Sequence, residues 1–262
     1  MKRLYILSSG AGGTEFITRE AEKALEECDV IVAYKKYAKE LAELIGEREL
    51  HTSGMTKEIE RVNQAIESAK NGKTTALISN GDVNVYGLAT LVVELVDAYG
   101  LWEEIEVISI AGVTSFLAAA SRAGAPVTGD FAVISLSDRL TDIELIDKRV
   151  RLALEGDFVF GIYNPRSRKR IQPYLNFLAR LEEADERIVV IASNVGRESE
   201  KITITTSKEL IEAGLEHPDI TMSTLIIVGN STTRLTSDGR VLTPRGYLQK
   251  YDTEGELRGA DA

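Results

Sequence analysis

Ser79-Asn80-Gly81-Asp82-Val83-Asn84-Val85-Tyr86-Gly87 stands between an apolar run, Thr74–Ile78, and a helical pattern over Leu88–Tyr99. A strand that breaks into Asn-Gly-Asp, with a second glycine before a helix, sets backbone N–H and C=O groups at its carboxyl end. Open α/β sheets take small ligands there. The same residues also suit an ordinary strand-to-helix turn, because Gly-Asp turns are common. Neighbouring turns of the same kind, gathered at one sheet edge, favour the ligand reading.

Such turns flank the stretch on both sides. Leu4-Tyr5-Ile6-Leu7 reads as a short buried strand, and Ser8-Ser9-Gly10-Ala11-Gly12-Gly13-Thr14 as a glycine-rich loop before a helix from Thr18 to Glu27. A dinucleotide fingerprint would need an acidic residue at the end of the second strand. That strand, Val30–Ala33, runs instead into Tyr34-Lys35-Lys36, with Asp29 ahead of it, which disfavours a nicotinamide cofactor. Thr56-Lys57-Glu58 starts a helix with Ile59, Val62, Ile66 and Ala69 on one face and Asn71-Gly72 as its stop. Leu88, Leu91, Val92, Leu95 and Tyr99 share a face of the helix after the opening stretch, and strand Glu106–Ile110 leads into Ala111-Gly112-Val113-Thr114-Ser115. Short strands alternating with amphipathic helices over residues 1–122 predict a parallel α/β sheet.

Breakers concentrate in Gly124-Ala125-Pro126-Val127-Thr128-Gly129-Asp130, which places a domain boundary there: residues 1–127 and 128–262. Beyond it come strand Phe131–Leu136, a helix to about Leu154 opened by Thr141-Asp142-Ile143-Glu144 with capping-box spacing, and strand Asp157–Tyr163. That strand runs into Asn164-Pro165-Arg166-Ser167-Arg168-Lys169-Arg170. Helix Pro173–Leu181 and strand Ile188–Ala192 follow, the latter ending in Ser193-Asn194-Val195-Gly196-Arg197. Lys201–Thr205 and Thr224–Val228 read as strands, and the polar tail after Tyr251 as frayed.

A chain of 262 residues can bury one large core or two medium ones. Cys28 is the single cysteine, and His51 and His217 are the only histidines, so an intramolecular disulfide is excluded and a protein-built metal site is not expected. No apolar run approaches the roughly 20 residues of a membrane span, and Met1-Lys2-Arg3 leads straight into a strand, so a soluble, cytoplasmic protein is expected. The net charge of −10 argues against a nucleic-acid surface. An anionic partner would need a local basic patch.

Taken together, these loops resemble the tetrapyrrole methylase family, and the likeness covers nearly the whole chain. In the second half it rests on Phe131–Asp138, Tyr163–Arg170, Gly196-Arg197-Glu198, Thr203–Thr206, Val228–Ser231 and Thr243–Tyr247. Those segments look like the branch that methylates C(17) of precorrin-3B or its cobalt-containing counterpart in cobalamin biosynthesis, with contraction of the macrocycle. Where the family carries a G-x-G-P-G-D loop, this chain reads Ser8-Ser9-Gly10-Ala11-Gly12-Gly13; where it carries G-D-P-x-V-Y-G, Val83 replaces the proline and Asn84 follows. Losing proline's fixed φ predicts a less pre-organised loop.

The resemblance implies two α/β domains, the first with a parallel sheet and the second with a mixed one, a ligand cleft between them, a homodimer, and S-adenosylmethionine as methyl donor. It implies donor contacts at Gly81, Asp82, Val83, Val85, Tyr86, Thr114, Ser115, Tyr163, Asn164, Asn194, Val195 and Thr224, each of which is equally a plausible turn or cap residue. Ser9, Gly10 and Gly12 fall on the substrate side. Tetrapyrroles carry several ionised carboxylates, and Arg166, Arg168, Lys169 and Arg170, joined by Arg197 and Arg245, are the dense basic cluster able to meet them. Such a run also suits a solvated helix start. Asp138, Tyr86 and Glu198 are the candidate acid–base groups. Another corrinoid methylase, diphthine synthase or a non-catalytic ligand-binding homologue remain alternatives. The Tyr163–Arg170 and Thr243–Tyr247 segments disfavour diphthine synthase.

Overall fold

The computed structural model describes residues 2–258, which form two compact units: residues up to Ala118 with Val195–Ser199, and Ala119–Asn194 with the remainder from Glu200. The first unit is built on β1 (Lys2–Ser8), α1 (Arg19–Glu26), β2 (Val30–Tyr34), α2 (Lys35–Glu40), α3 (Ala42–Ile45), β3 (Glu49–Ser53), α4 (Glu58–Lys70), β4 (Thr75–Ser79), α5 (Ala89–Ala98) and β5 (Ile105–Ile110), and the chain continues into α6 (Ser115–Ala123). Its sheet has the order β3-β2-β4-β1-β5, parallel throughout.

Strand alternation divides the core between the sheet's two faces. Leu4, Ile6, Val30, Val32 and Leu77 pack with α4 and α5 residues such as Val62, Ile66, Val92 and Val96. Tyr5, Leu7, Ile31, Ala33, Ala76 and Ile78 pack with Ala21 and Leu25 of α1, Ala38 of α2 and Ile45 of α3. Each fully buried aliphatic side chain of this kind contributes about 1.5–3 kcal/mol. Helices after β1 and β2 thus lie on one face, and those bracketing β4 on the other. The connections part at the adjacent strands β1 and β4, and in open α/β sheets ligands gather at such a switch point, beyond the strands' carboxyl ends. Ser8 and Ser79 occupy those ends, in register with each other.

The second unit holds β6 (Gly124–Ala125), β7 (Phe131–Ser135), α7 (Ile143–Glu155), β8 (Val159–Tyr163), α8 (Gln172–Glu182), β9 (Ile188–Ser193), β10 (Lys201–Thr206), α9 (Ser207–Ala213), β11 (Thr224–Val228), β12 (Arg234–Leu235), β13 (Val241–Leu242) and α10 (Tyr247–Lys250). Its main sheet, β10-β9-β11-β8-β7, pairs β7 and β8 in parallel and the rest antiparallel. A small three-stranded sheet, β12-β13-β6, belongs to the same unit. Phe160, Ile162, Val189, Ile191, Ile226 and Val228 form the core with Ile146 and Val150 of α7, Tyr174 and Phe177 of α8 and Leu210 of α9.

Several local expectations are corrected. Ile59 is 60 % exposed, because α4 buries the arc through Val62, Ala65, Ile66 and Ala69. Tyr99 is 51 % exposed; the buried line of α5 is Ala89, Val92 and Val96, with Leu88, Leu91 and Leu95 on its flanks. Helix α7 starts after Asp142, whose side chain makes no cap hydrogen bond, so the spacing at Thr141–Glu144 forms no capping box. The reciprocal box is instead Thr206 with Glu209 at the start of α9. The tail is ordered as far as Arg258: Tyr251 bridges Leu257, and Arg258 donates through its N–H to Lys250 O. Its last four residues lie outside the described ones. No helix among the described residues is long and apolar enough to cross a membrane.

Candidate active site

At the β1/β4 switch point the loops are joined by main chain. Ser9 N–H donates to Ser79 O at 2.8 Å, Gly10 N–H to Gly81 O at 3.1 Å, and Gly81 N–H returns to Gly10 O at 2.7 Å. Gly10 (φ +76°) and Gly81 (φ +70°) make this bridge in the left-handed region. Gly112, after β5, closes in on both: a Cβ there would stand 2.3 Å from Ser8 Cβ and 2.5 Å from Gly81 O. Three strand exits thus converge where side chains are absent.

Asp82 fastens the convergence. Its Oδ2 accepts from Gly112 N–H at 2.8 Å and its Oδ1 from Asn84 N–H at 2.8 Å, so both oxygens serve the loops. Ser8 does similar work from β1, donating to Ile110 O at 2.6 Å and accepting from Val83 N–H at 3.0 Å. Proline could not supply that N–H. The stretch that loses proline's fixed φ therefore gains a hydrogen bond proline forbids, which offsets the stiffness lost. Val83's side chain is 1 % exposed and packs with Val62, Ala89 and Val92, so only its main chain faces the loop. Tyr86 is exposed with φ +55°, Val85 and Gly87 are half-buried, and Thr114 and Ser115 enter α6 half-buried.

The first glycine loop is less accessible than expected: Ser9, Gly10, Ala11 and Gly12 are all buried. Gly12 lies against Gly196, where a Cβ would approach Gly196 O to 2.6 Å, and Gly13 N–H donates to Gly196 O at 2.7 Å. Arg197 completes this contact. Its Nε and Nη2 pair with Glu40 Oε1 and Oε2 at 2.8 and 3.1 Å, Nη2 donates to Asn80 Oδ1 at 3.0 Å, and Nη1 to Ala11 O at 3.2 Å. Its guanidinium is thus engaged within the unit. Val195 is buried and Glu198 exposed. Burial also pushes Tyr37, beside this network, above the ordinary phenol value.

In the second unit the exits of β7, β8 and β9 share an edge with the start of β11, because β11 runs antiparallel to both β8 and β9. Tyr163, Asn164, Asn194 and Thr224 stand there. Asn164 (φ +50°) and Asn194 (φ +51°) turn the chain in the left-handed region. Asn164 Nδ2 donates to Ser135 Oγ at 3.1 Å, and Thr224 Oγ1 donates to Asp219 O at 2.5 Å and accepts from Thr221 N–H at 2.9 Å.

The basic run divides. Arg166 donates to Ile220 O at 2.9 Å and His217 O at 3.1 Å, and Arg170 to Leu136 O at 2.8 Å and Asn164 O at 3.2 Å. Burial draws the Arg170 guanidinium below its ordinary value. Arg168 and Lys169 are exposed, as is Asp138, whose Oδ1 is 3.9 Å from Arg170 Nε. Arg245 lies over the Tyr247 ring at 5.9 Å.

Residue types alone did not single out Ser8, Glu40, Asn80 or Ser135. Ser8 and Asn80 had a signal, since Asn80 adjoins a glycine at a strand exit and Ser8 stands two residues before one; Glu40, one of many helical acids, had none. The first-unit edge offers main-chain groups to a small ligand. Gly81 is buried, yet a Cβ on it would meet only Thr114 Cα, at 3.9 Å, leaving a hollow where a ligand can press on the backbone. Among the described residues no group of His, Cys, Asp and Glu is arranged to hold a metal ion.

Comparison with known proteins agrees with this fold. A probable cobalt-factor III C(17)-methyltransferase from Methanocaldococcus jannaschii is 43 % identical over 254 residues, covering 95 % of this chain and 99 % of its own. A precorrin-3B C(17)-methyltransferase from a Sinorhizobium species is 33 % identical, covering 93 % and 96 %. The crystal structure of the methyltransferase CobJ superposes with a TM-score of 0.84 at 32 % identity, covering 93 % of this chain and 100 % of that one. Residues 3–211 match the family described as tetrapyrrole (corrin/porphyrin) methylases, and the chain belongs to that family.

Proposed function

We propose that the chain is an S-adenosylmethionine-dependent C-methyltransferase acting at C(17) of cobalt-factor III or precorrin-3B, with ring contraction, in cobalamin biosynthesis. The observation that carries this is the 43 % identity, along nearly the whole of both chains, to a relative named for C(17) methylation of cobalt-factor III. The precorrin-3B enzyme stands at 33 %, which favours the cobalt-bearing substrate. Ring contraction follows from the resemblance.

The donor's sulfonium supplies an electrophilic methyl and its own leaving group. The protein's task is alignment, and holding reactants in attack geometry lowers a barrier by about 7–11 kcal/mol in favourable cases. The first-unit edge is suited to it: the hollow at Gly81 seats the donor against main chain, Asp82 locks two loops around it, and Val85, Tyr86, Thr114, Ser115 and Val195 stand as further contacts. By resemblance, Tyr163, Asn164, Asn194 and Thr224 of the second unit are donor contacts too. Asp138, Tyr86 and Glu198, all exposed, are the candidates to move a proton during contraction. Arg168 and Lys169 are the cations available to the substrate's carboxylates; Arg166, Arg170 and Arg197 are already spoken for by their own loops.

Incubation with methyl-labelled donor and either cobalt-factor III or precorrin-3B tests the proposal. One labelled methyl should appear on the cobalt-bearing macrocycle. Transfer to neither overturns the reading, and no heat of binding with S-adenosylhomocysteine would leave a non-catalytic homologue.

A further inference from the structure

The run Arg166-Ser167-Arg168-Lys169-Arg170 places five polar residues at the exit of β8, yet its cations do two different jobs. Arg166 and Arg170 turn inward onto carbonyl oxygens. Arg168 and Lys169 face solvent, and among the described residues neither side chain has a partner.

The carbonyls that Arg170 holds belong to two strands. β7 and β8 pair in parallel as far as Ser135 opposite Tyr163, and Leu136 N–H makes a last bond to Tyr163 O at 3.0 Å. One residue on, the ladder stops. There Arg170 Nη1 takes Leu136 O and Nη2 takes Asn164 O, so one guanidinium replaces the next rung. Below it, Ser135 Oγ accepts from both Asn164 Nδ2 at 3.1 Å and Ser137 N–H at 3.2 Å, joining the same two exits. Arg170 also closes its own loop, its N–H donating to Ser167 Oγ at 3.1 Å and its carbonyl accepting from Ser167 N–H at 3.0 Å. That small ring includes Arg168 and Lys169, so their backbone is fixed by the residue that clamps the strands.

The guanidinium itself has little left to offer a ligand. Its side chain is 12 % exposed, and the nearest carboxylate, on Asp138, is 3.9 Å away. Arg139 acts on the guanidinium electrostatically alongside Asp138, and Arg168 and Lys169 share its loop. A ligand rich in carboxylates would meet a net positive edge in a chain whose total charge is −10.

We infer that Arg170 is a positioning residue: its fork holds the β7 and β8 exits in register, and through its ring with Ser167 it presents Arg168 and Lys169 as the pair that binds the substrate's carboxylates. The second half of this rests on the tetrapyrrole reading; the clamp does not. Lysine at 170 keeps the charge but is a single point on a flexible stem and cannot satisfy both carbonyls in a planar fork.

Amide exchange tests the clamp without any substrate. Arg170→Lys should speed exchange in both 136–142 and 164–170 while leaving 79–87 unchanged; a response in one segment only, or in neither, overturns the clamp. Kinetics test the presentation. Arg170→Lys should raise KM for the tetrapyrrole about tenfold with kcat held within about twofold, and the Arg168→Ala/Lys169→Ala double variant should do the same. Adding Arg170→Lys to that double variant should then change KM by less than about twofold, because both act through one contact. Multiplying effects, or an unchanged KM in Arg170→Lys, would overturn the presentation. If Arg170→Lys does not fold, Arg170→Gln takes its place in each comparison. A wild-type protein that methylates neither macrocycle defeats the functional reading alone, since the exchange result stands apart from it.

Discussion

Both oxygens of Asp82 are taken by main-chain N–H groups from different loops, so its value to the site lies in what it joins. Asp82→Asn turns one acceptor into a donor facing an N–H. It should cost about 1–3 kcal/mol of stability and weaken S-adenosylhomocysteine binding by about tenfold or more in calorimetry. Ser8 and Val83 give a sharper test, because the chain departs from its family's pattern at both and the two meet in one hydrogen bond. Ser8→Ala strands a buried N–H and Val83→Pro removes it, each lowering stability by about 1 kcal/mol or more. Together they should cost less than the sum, by about 1 kcal/mol, in denaturant unfolding. The sequence placed Val83 in the loop, and the resemblance made it a donor contact; its side chain packs in the core while its N–H serves Ser8. Periodicity around one residue in a turn cannot tell which way its side chain falls, and Val83 falls into the core.

Elements were legible where burial imposed a period. The strand, loop and helix from Thr75 to Ala98 stand as the pattern predicts, since β4 is buried on both faces and α5 on one. β3, Glu-Leu-His-Thr-Ser, escaped notice: it lies at the sheet's edge with no residue fully buried, so neither an apolar run nor alternation marks it. Capping boxes show a related ambiguity. Thr141–Glu144 and Thr206–Glu209 share a spacing, but only the second closes, with Thr206 Oγ1 accepting from Glu209 N–H at 3.2 Å and Thr206 N–H donating to Glu209 Oε2 at 3.3 Å. Hydrogen bonds from the Thr205 hydroxyl and Thr206 N–H hold the Glu209 carboxyl below its usual value of 4.5. A depressed carboxyl stabilises the fold above its unfolded pKa and loses that contribution as pH falls through the folded one. Thr206→Ala, which removes only the acceptor for Glu209 N–H, should lower stability by about 1 kcal/mol irrespective of pH. The gap between Glu209→Gln and the parent should instead narrow on acidification below the carboxylate range, because the parent then loses the charge that those two hydrogen bonds favour, as followed by thermal melts.

For the whole molecule, the first unit is not one continuous run of chain. It needs Val195–Ser199, and Arg197 joins Glu40, Asn80 and Ala11 within it. Arg197→Ala takes the bidentate fork from the half-buried Glu40 carboxylate, leaving it Lys36 Nζ at 4.0 Å, and frees Asn80 Oδ1 in the Ser79–Gly87 loop. A loss of about 1–3 kcal/mol and a weaker affinity for S-adenosylhomocysteine are expected, with Arg197→Lys intermediate because it keeps the charge without the fork. The Gly-Arg-Glu segment could be quoted from the sequence, but its service to the other half could not be read there, because nothing local to residues 195–199 encodes a partner so far away.

That separation acts in time as well. Arg197 follows Asn80 by 117 residues, and at a ribosome's 5–20 residues per second it leaves the tunnel about 6–23 seconds later. Through that interval the glycine loops at β1 and β4 exist without their last tie. The nascent protein acquires its finished loop pair only when most of its second half has been made.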